Sequence, residues 1–553
     1  MRRCDWLAAT LAVGTLTACV APAAALQPEH KGGVMKLIAH SGQGTIDPQI
    51  NYTLQYWQLY QFVYDGLIAF KKAPGTEGFT LVPDLAEAIP PAADDGKSYT
   101  FKLRKGIKYS TGQEVTVKDV VASFQRIFKV SSPTSGTFYA GIVGADACIK
   151  TPATCTLEGG VVGDEAAGTV TFHLTQPDPE FFDKLAVPHA VILPADTPAK
   201  DVGTSPIPGT GAYMFTDYDP TKLLKMVRNP QFKEWSVEAQ PDGYPDEVHY
   251  EFGLTDEAEV NAVANNQADW MFDEIPADRL EELGTKYQDR VFINTLTGMW
   301  YAPLNTNIPP FNNVKARQAL NYAIDRNSLV NLFGGPVLAS PVCQVLPPGF
   351  PGHVDYCPYT KDPGAKWSAP DLEKAKQLVK ESGTAGQEVT VIPDDRAVSR
   401  EIGTYLQSVL NDIGYKASVK PVSFDIQFVY TQNTKNKVQI SVSQWYQDYP
   451  AASDFLYVLL SCNSFHPDSD SSVNIAGFCN KEIDAKMQEA LKTGISDPTA
   501  ANKMWADIDK EVTDLAPLAV LFTPKHLDFV SKRLGNFQFN QQFYWIVTQS
   551  WVK

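Results

Sequence analysis

Between Ser98 and Phe128 a strand-like alternation, two turns and a capped amphipathic helix follow one another without a break, in the run SYTFKLRKGIKYSTGQEVTVKDVVASFQRIF. Tyr99, Phe101 and Leu103 alternate with polar residues, as on a half-buried strand. Lys105-Gly106 and Ser110-Thr-Gly112 supply turns. Thr116 and Asp119 have the spacing of a capping box, in which hydroxyl and carboxylate satisfy free amides at a helix start. Val117, Val120, Val121, Phe124 and Ile127 then recur at helical spacing. A strand feeding a helix whose apolar face must be covered belongs in an α/β architecture.

Two further blocks carry the same kind of information. In PGTGAYMFTDYDPTKLLKMVRNPQFKEW, Pro208 to Trp235, the glycines Gly209 and Gly211 read as tight-turn residues, and Tyr213 to Val227 as a hairpin around Asp217-Tyr-Asp-Pro220. In PFNNVKARQALNYAIDRNSLVNL, Pro310 to Leu332, Val314, Ala319, Leu320, Ala323 and Ile324 recur at helical spacing. Lys315, Arg317, Asp325 and Arg326 take the other positions, where a solvated or ion-paired charge is expected. Ser368 and Asp371 form a second capping-box pattern with Pro370 in the first turn, and Gly383 is a natural helix stop. The strand-like Val389 to Ile392 and a helix from Arg400 to Ile413 follow, which continues the βα alternation.

At 553 residues the chain is past the size at which one hydrophobic core stops growing, so at least two lobes are expected. Arg2 and Arg3 precede an apolar run from Trp6 to Val20, and Ala23-Ala24-Ala25 offers a signal-peptidase site, which makes residues 1–25 a signal peptide. Leu16-Thr17-Ala18-Cys19 competes with that site as a lipobox in which Cys19 would be acylated. No later run approaches the roughly 18 apolar residues of a membrane span. With 47 basic against 63 acidic residues the chain carries a formal charge of −16 and no basic cluster. That balance argues against nucleic acid and anionic membrane surfaces as partners. Cys4 and Cys19 lie in the leader. The remaining six fall at short intervals, Cys148 with Cys155, Cys343 with Cys357 and Cys462 with Cys479, as local disulfides of an exported protein do. No CxxC occurs, and no two histidines stand at i and i+4 on one helix, so a zinc, nickel or haem site has little support.

Together with Val82-Pro-Asp-Leu-Ala and Trp445-Tyr-Gln-Asp-Tyr449, the three blocks resemble the extracytoplasmic solute-binding proteins of ABC importers, in the oligopeptide, dipeptide and nickel family (family 5). The resemblance spans nearly the whole mature chain and implies a two-lobed periplasmic-binding-protein, or Venus flytrap, fold with an inserted extra subdomain. It implies a discontinuous first lobe over residues 31–75, 206–295 and 523–553, an inserted subdomain over 76–205, and a second lobe over 296–522. Solute would sit between lobes joined by crossing strands, whose small dihedral changes permit rigid-body closure. A monomeric receptor without cofactor is implied, periplasmic or lipid-anchored through Cys19. Its partners would be an inner-membrane permease and cytoplasmic ATPases.

The resemblance also implies site residues. Peptide-binding members place an aspartate at the position of Asp448, where it pairs with the peptide's α-ammonium. A buried ammonium needs such a charge-assisted acceptor to offset its desolvation. The plainer reading of Asp448 is a turn cap before Pro450, and the Pro-Ala-Ala-Ser continuation departs from the family pattern. Trp445 and Tyr446 are expected to wall the same pocket, and Trp300 and Tyr301 to face the cleft, with core packing the alternative for each ring. Asn474 resembles a backbone-contacting asparagine of dipeptide receptors.

An extended peptide would bind by adding a strand across the cleft. The alternative solute is a metal chelate, an oligosaccharide or an opine held by the same fold. An exported hydrolase is the least supported reading, because neither GxSxG nor HExxH occurs; nor do the phosphate-cradling patterns GxxxxGK[ST] and GxGxxG.

Overall fold

A computed structural model of the chain describes residues 27–553; the signal-peptide reading of residues 1–25, with Cys4, Cys19 and Ala25, lies outside them. The fold is a two-lobed α/β structure built on four principal sheets. One sheet has the order Trp270–Met271, Val34–Ala39, Glu247–Phe252, Leu223–Arg228, Tyr213–Asp219, parallel around Val34–Ala39 and antiparallel beyond. A second orders Val291–Thr295, Leu518–Phe529, Gly298–Pro303 and Ser443–Tyr446, all antiparallel. A third is parallel, with Glu388–Ile392 between Lys416–Val419 and Ile440–Ser441. Ser98–Lys102, Thr169–His173 and Val161–Asp164 make a small antiparallel sheet of their own.

Leu518–Phe529 ties the first two sheets together. Its first half pairs with Gly298–Pro303 and its second half with Val291–Thr295, and the next residue, Val530, bridges to Trp270. Chain therefore passes between the sheets at least twice, through the segment before Val291 and through this strand.

Local chemistry explains the elements that the sequence announces. The helix Val117–Lys129 starts at the expected box: the Thr116 amide donates to Asp119 Oδ2 at 2.8 Å and the Asp119 amide to Thr116 Oγ1 at 3.4 Å. Its buried face, Val117, Val120, Phe124 and Ile127, packs on the small sheet. Truncating Phe124 there would cost about 3–5 kcal/mol. Gly209 and Gly211 are required by close approach, since a Cβ would stand 1.9 Å from the Val63 carbonyl oxygen and 2.3 Å from that of Phe62. The hairpin they precede turns at Pro220 to Lys222, a little later than expected, because Asp217 and Asp219 remain paired in the ladder. All three expected disulfides form, Cys148–Cys155, Cys343–Cys357 and Cys462–Cys479.

Three expectations need correction. Asp371, not Ser368, caps the helix Leu372–Ser382, accepting from the Lys374 amide at 2.9 Å, while Ser368 bonds Thr360. The helix of the third block breaks at Ile324, and Asp325 caps a new one, Arg326–Leu332. Arg317 and Arg326 are neither solvated nor paired with carboxylates. Arg317 donates to the carbonyls of Phe311 and Leu515, and Arg326 to those of Asn321, Val342 and Val520 and to the Asn321 side chain. Burial pushes both guanidinium groups down to about 10, but carbonyl oxygens satisfy their N–H groups.

Candidate functional site

A cavity of about 160 Å³ lies where the sheets meet. Its lining includes four segments that flank Asp448 and Arg396. Tyr52 to Trp57 come from the start of the helix Leu54–Tyr60. Ser443 to Asp448 come from an edge strand and the turn after it. Asp394 and Arg396 follow the strand Glu388–Ile392, and Glu274 follows Trp270–Met271. Asp394 and Arg396 therefore stand beyond the carboxyl end of a parallel strand, where open α/β sheets bind their ligands.

Asp448 is buried at one end, with 5% of its surface exposed and no cation within salt-bridge reach among the described residues. The Tyr52 hydroxyl donates to its Oδ2, its amide donates to Asp454 Oδ2 at 2.9 Å, and the Gln542 side chain donates to its carbonyl. Burial pushes the carboxyl up to about 7, with the Tyr52 and Asp454 contacts opposing. Asp454 is driven higher by burial and by the Asp448 charge. Two carboxyls held together without a cation cannot both ionise cheaply, so the pair retains a proton that either can hold.

Around Asp448 the wall is aromatic. Tyr52 stacks on Trp57 at 5.2 Å between centroids and meets Trp445 edge-on at 5.6 Å. Trp445 is buried, and its indole Nε1 has no hydrogen-bond partner. Tyr446 fits across its neighbour because Gly298 opposes it: a Cβ there would come within 2.4 Å of the Tyr446 ring. Ser443–Tyr446 pairs with Gly298–Pro303 on one side only and ends its sheet, so its other edge is open.

At the other end Arg396 is held by two carboxylates. It donates from Nε and Nη2 to Asp394 at 3.1 and 3.2 Å and from Nη1 to Glu274 Oε2 at 2.9 Å, and its guanidinium lies 3.7 Å from the Phe424 ring centroid. Burial pushes Glu274 up to about 7, with Arg396 opposing. His526 also lines the cavity. Its Nε2 lies 3.2 Å from Asp528 Oδ1 but is not aligned for a hydrogen bond, and burial pushes the ring down to about 3, so it is neutral. A side chamber of about 30 Å³ shares Glu274, Leu296, Tyr446 and His526 with the main cavity.

Of the six residues singled out in the sequence, Asp448, Trp445 and Tyr446 come together here and three do not. Trp300 is fully buried between Phe333 and Phe522 in a separate core. Tyr301 is buried on the same strand and absent from the cavity lining. Both faces of Gly298–Pro303 are covered, so alternation assigns no face to the cleft. Asn474 holds the Cys462–Cys479 loop, donating to the carbonyls of Ser461 and Phe478 and accepting from the Phe478 amide. Tyr52, Trp57, Glu274, Asp394, Arg396 and His526 escaped sequence reasoning. The position of Asp394 and Arg396 just past the predicted strand was the available signal.

Lobes joined by crossing strands around a buried, charge-bearing cavity define a solute receptor. The family model described as "Bacterial extracellular solute-binding proteins, family 5 Middle" matches residues 80–467, and the chain belongs to that family of ABC-importer binding proteins. It is 26% identical over 509 residues to the glutathione-binding protein GsiB of Escherichia coli (strain K12), covering 89% of each. Its fold superposes on Helicobacter pylori DppA in complex with the peptide STSA with a TM-score of 0.80, at 19% identity over 95% of this chain and 99% of that one. It superposes on clavulanic acid biosynthesis oligopeptide binding protein 2 with a TM-score of 0.77, at 22% identity over 95% and 96%. No helix among the described residues is long and apolar enough to cross a membrane.

Proposed function

We propose that this chain captures a short peptide between its lobes, outside the cytoplasmic membrane, and delivers it to an ABC permease without chemically altering it. The observation that carries the reading is Asp448, a buried carboxylate without a protein cation, walled by Tyr52, Trp57 and Trp445. An α-ammonium seated there would supply the missing charge through a charge-assisted hydrogen bond. The edge of Ser443–Tyr446 that pairs with no other described strand offers backbone groups to an extended chain. The likeness to a glutathione-binding relative and to a neighbour holding STSA agrees with a ligand of peptide chemistry. In this reading residues 31–75, 206–295 and 523–553 form one lobe, 296–522 the other, and 76–205 the inserted subdomain.

Native mass spectrometry of protein taken gently from its export compartment, then denatured to release its ligand, tests the proposal. Peptide masses that disappear from an Asp448→Ala variant are expected. A single non-peptide mass carried equally by both proteins would overturn it.

A further inference from the structure

We propose that the preferred ligand carries a second positive charge, as a peptide with a lysine or arginine side chain does, and that Glu274 receives it. The inference rests on the reading of Asp448 as acceptor of the first. Three carboxylates line the main cavity, Asp448, Glu274 and Asp394, and the one fixed cation among the lining residues is Arg396. That guanidinium is already spent on Asp394 and on one oxygen of Glu274. It also lies 3.6 Å from Asp273, which is buried. One guanidinium is thus shared among Asp394, Glu274 and Asp273, and a ligand without a basic side chain would bring no further cation to Glu274.

Glu274 has the geometry for the task. Its Oε2 accepts from Arg396, while its Oε1 receives no hydrogen bond from another described residue. The residue borders both the main cavity and the side chamber. The chamber walls are largely apolar, with Ile275, Leu296, Phe333 and Leu338, which suits the methylene stem of a long basic side chain. Lys525 also borders the chamber but is an exposed residue. Glu274 Oε1 is thus an acceptor without a donor at the cavity wall, and a basic side chain brings one.

Calorimetric titration of ligand-stripped protein with Ala-Ala-Ala, Ala-Glu-Ala, Lys-Ala-Ala, Ala-Lys-Ala and Ala-Ala-Lys tests this, with agmatine as a non-peptide dication. At least one lysine peptide should bind about tenfold more tightly than Ala-Ala-Ala, the return of one desolvated ion pair, and Ala-Glu-Ala more weakly. Glu274→Gln should erase the lysine preference, so that the lysine peptides bind no more tightly than Ala-Ala-Ala. Equal affinity of the wild-type protein for neutral and all lysine peptides overturns the inference and leaves the peptide reading standing, whether or not the variant folds. Binding of agmatine alone, lost in Glu274→Gln, supports the second-charge site and removes the peptide reading. Binding of neither peptides nor agmatine overturns both.

Discussion

Asp47 and Asp448 are both buried aspartates, yet the protein treats them in opposite ways. Asp47 is fully buried and receives both terminal nitrogens of Arg126, itself 4% exposed, with backbone amides at Gln49 and Val202 completing its shell. Asp448 has comparable burial and no cation, only a tyrosine hydroxyl and a second acid. A charge matched within the chain marks scaffold, because its desolvation is offset at the moment of folding. A charge left unmatched beside a cavity marks the place where something else must arrive.

The comparison is broken most severely at the matched end. Arg126→Ala leaves Asp47 buried and uncompensated, and should lower unfolding stability by about 3–5 kcal/mol in a denaturant titration. A loss below about 1 kcal/mol would mean that the pair is not an internal support.

At the unmatched end the same kind of change should act on binding instead. Asp448→Asn removes the negative charge while keeping shape, and peptide affinity should fall by about 2–4 kcal/mol in calorimetry. The ligand-free variant should melt at a higher temperature than the parent, since it no longer buries an unpaired carboxylate; an unchanged affinity would assign Asp448 to the turn before Pro450.

A smaller effect follows from the raised carboxyl. The folded-state value of about 7 stands above the ordinary 3.8, so between these pH values the native state holds a proton that the unfolded chain has released. Stability from this group is present at acid pH and lost as pH rises towards 7. His189 and His526, held down to about 4 and about 3, act in the opposite sense. The difference in melting temperature between Asp448→Asn and the parent isolates Asp448, and should widen from pH 5 to pH 7.5. A flat difference would show that the carboxyl is not titrating there.

The smallest effect on binding is expected at Asn474. Asn474→Ala removes three hydrogen bonds within the Cys462–Cys479 loop and should cost about 2 kcal/mol of stability with peptide affinity unchanged. A matching loss of affinity would place the loop in the site.

Much of the fold was legible because its signals are local. The capping box at Thr116, the left-handed stop at Gly383 and the short-range cysteine pairs each depend on residues a few positions apart. The cavity was legible only in the run from Trp445 to Asp448. Trp300 and Tyr301 looked equally suitable, but their strand is covered on both faces, and nothing in an alternating apolar run reveals which side a ligand would occupy. Arg317 and Arg326 misled for a related reason. Their partners are carbonyls as far away in sequence as Leu515 and Val520, and carbonyls leave no trace in residue identity.

By itself the sequence determined the α/β class, the capped helices and the short cysteine intervals, since each follows from local pattern, while Asp448 was singled out through its resemblance to a family motif. Tertiary structure alone decided that Tyr52 would donate to Asp448 across 396 positions, and that Arg396 would be consumed by Asp394 and Glu274. The physical reason is that whether a buried charge is matched depends on every group brought within a few ångströms of it, and only the folded chain fixes that set.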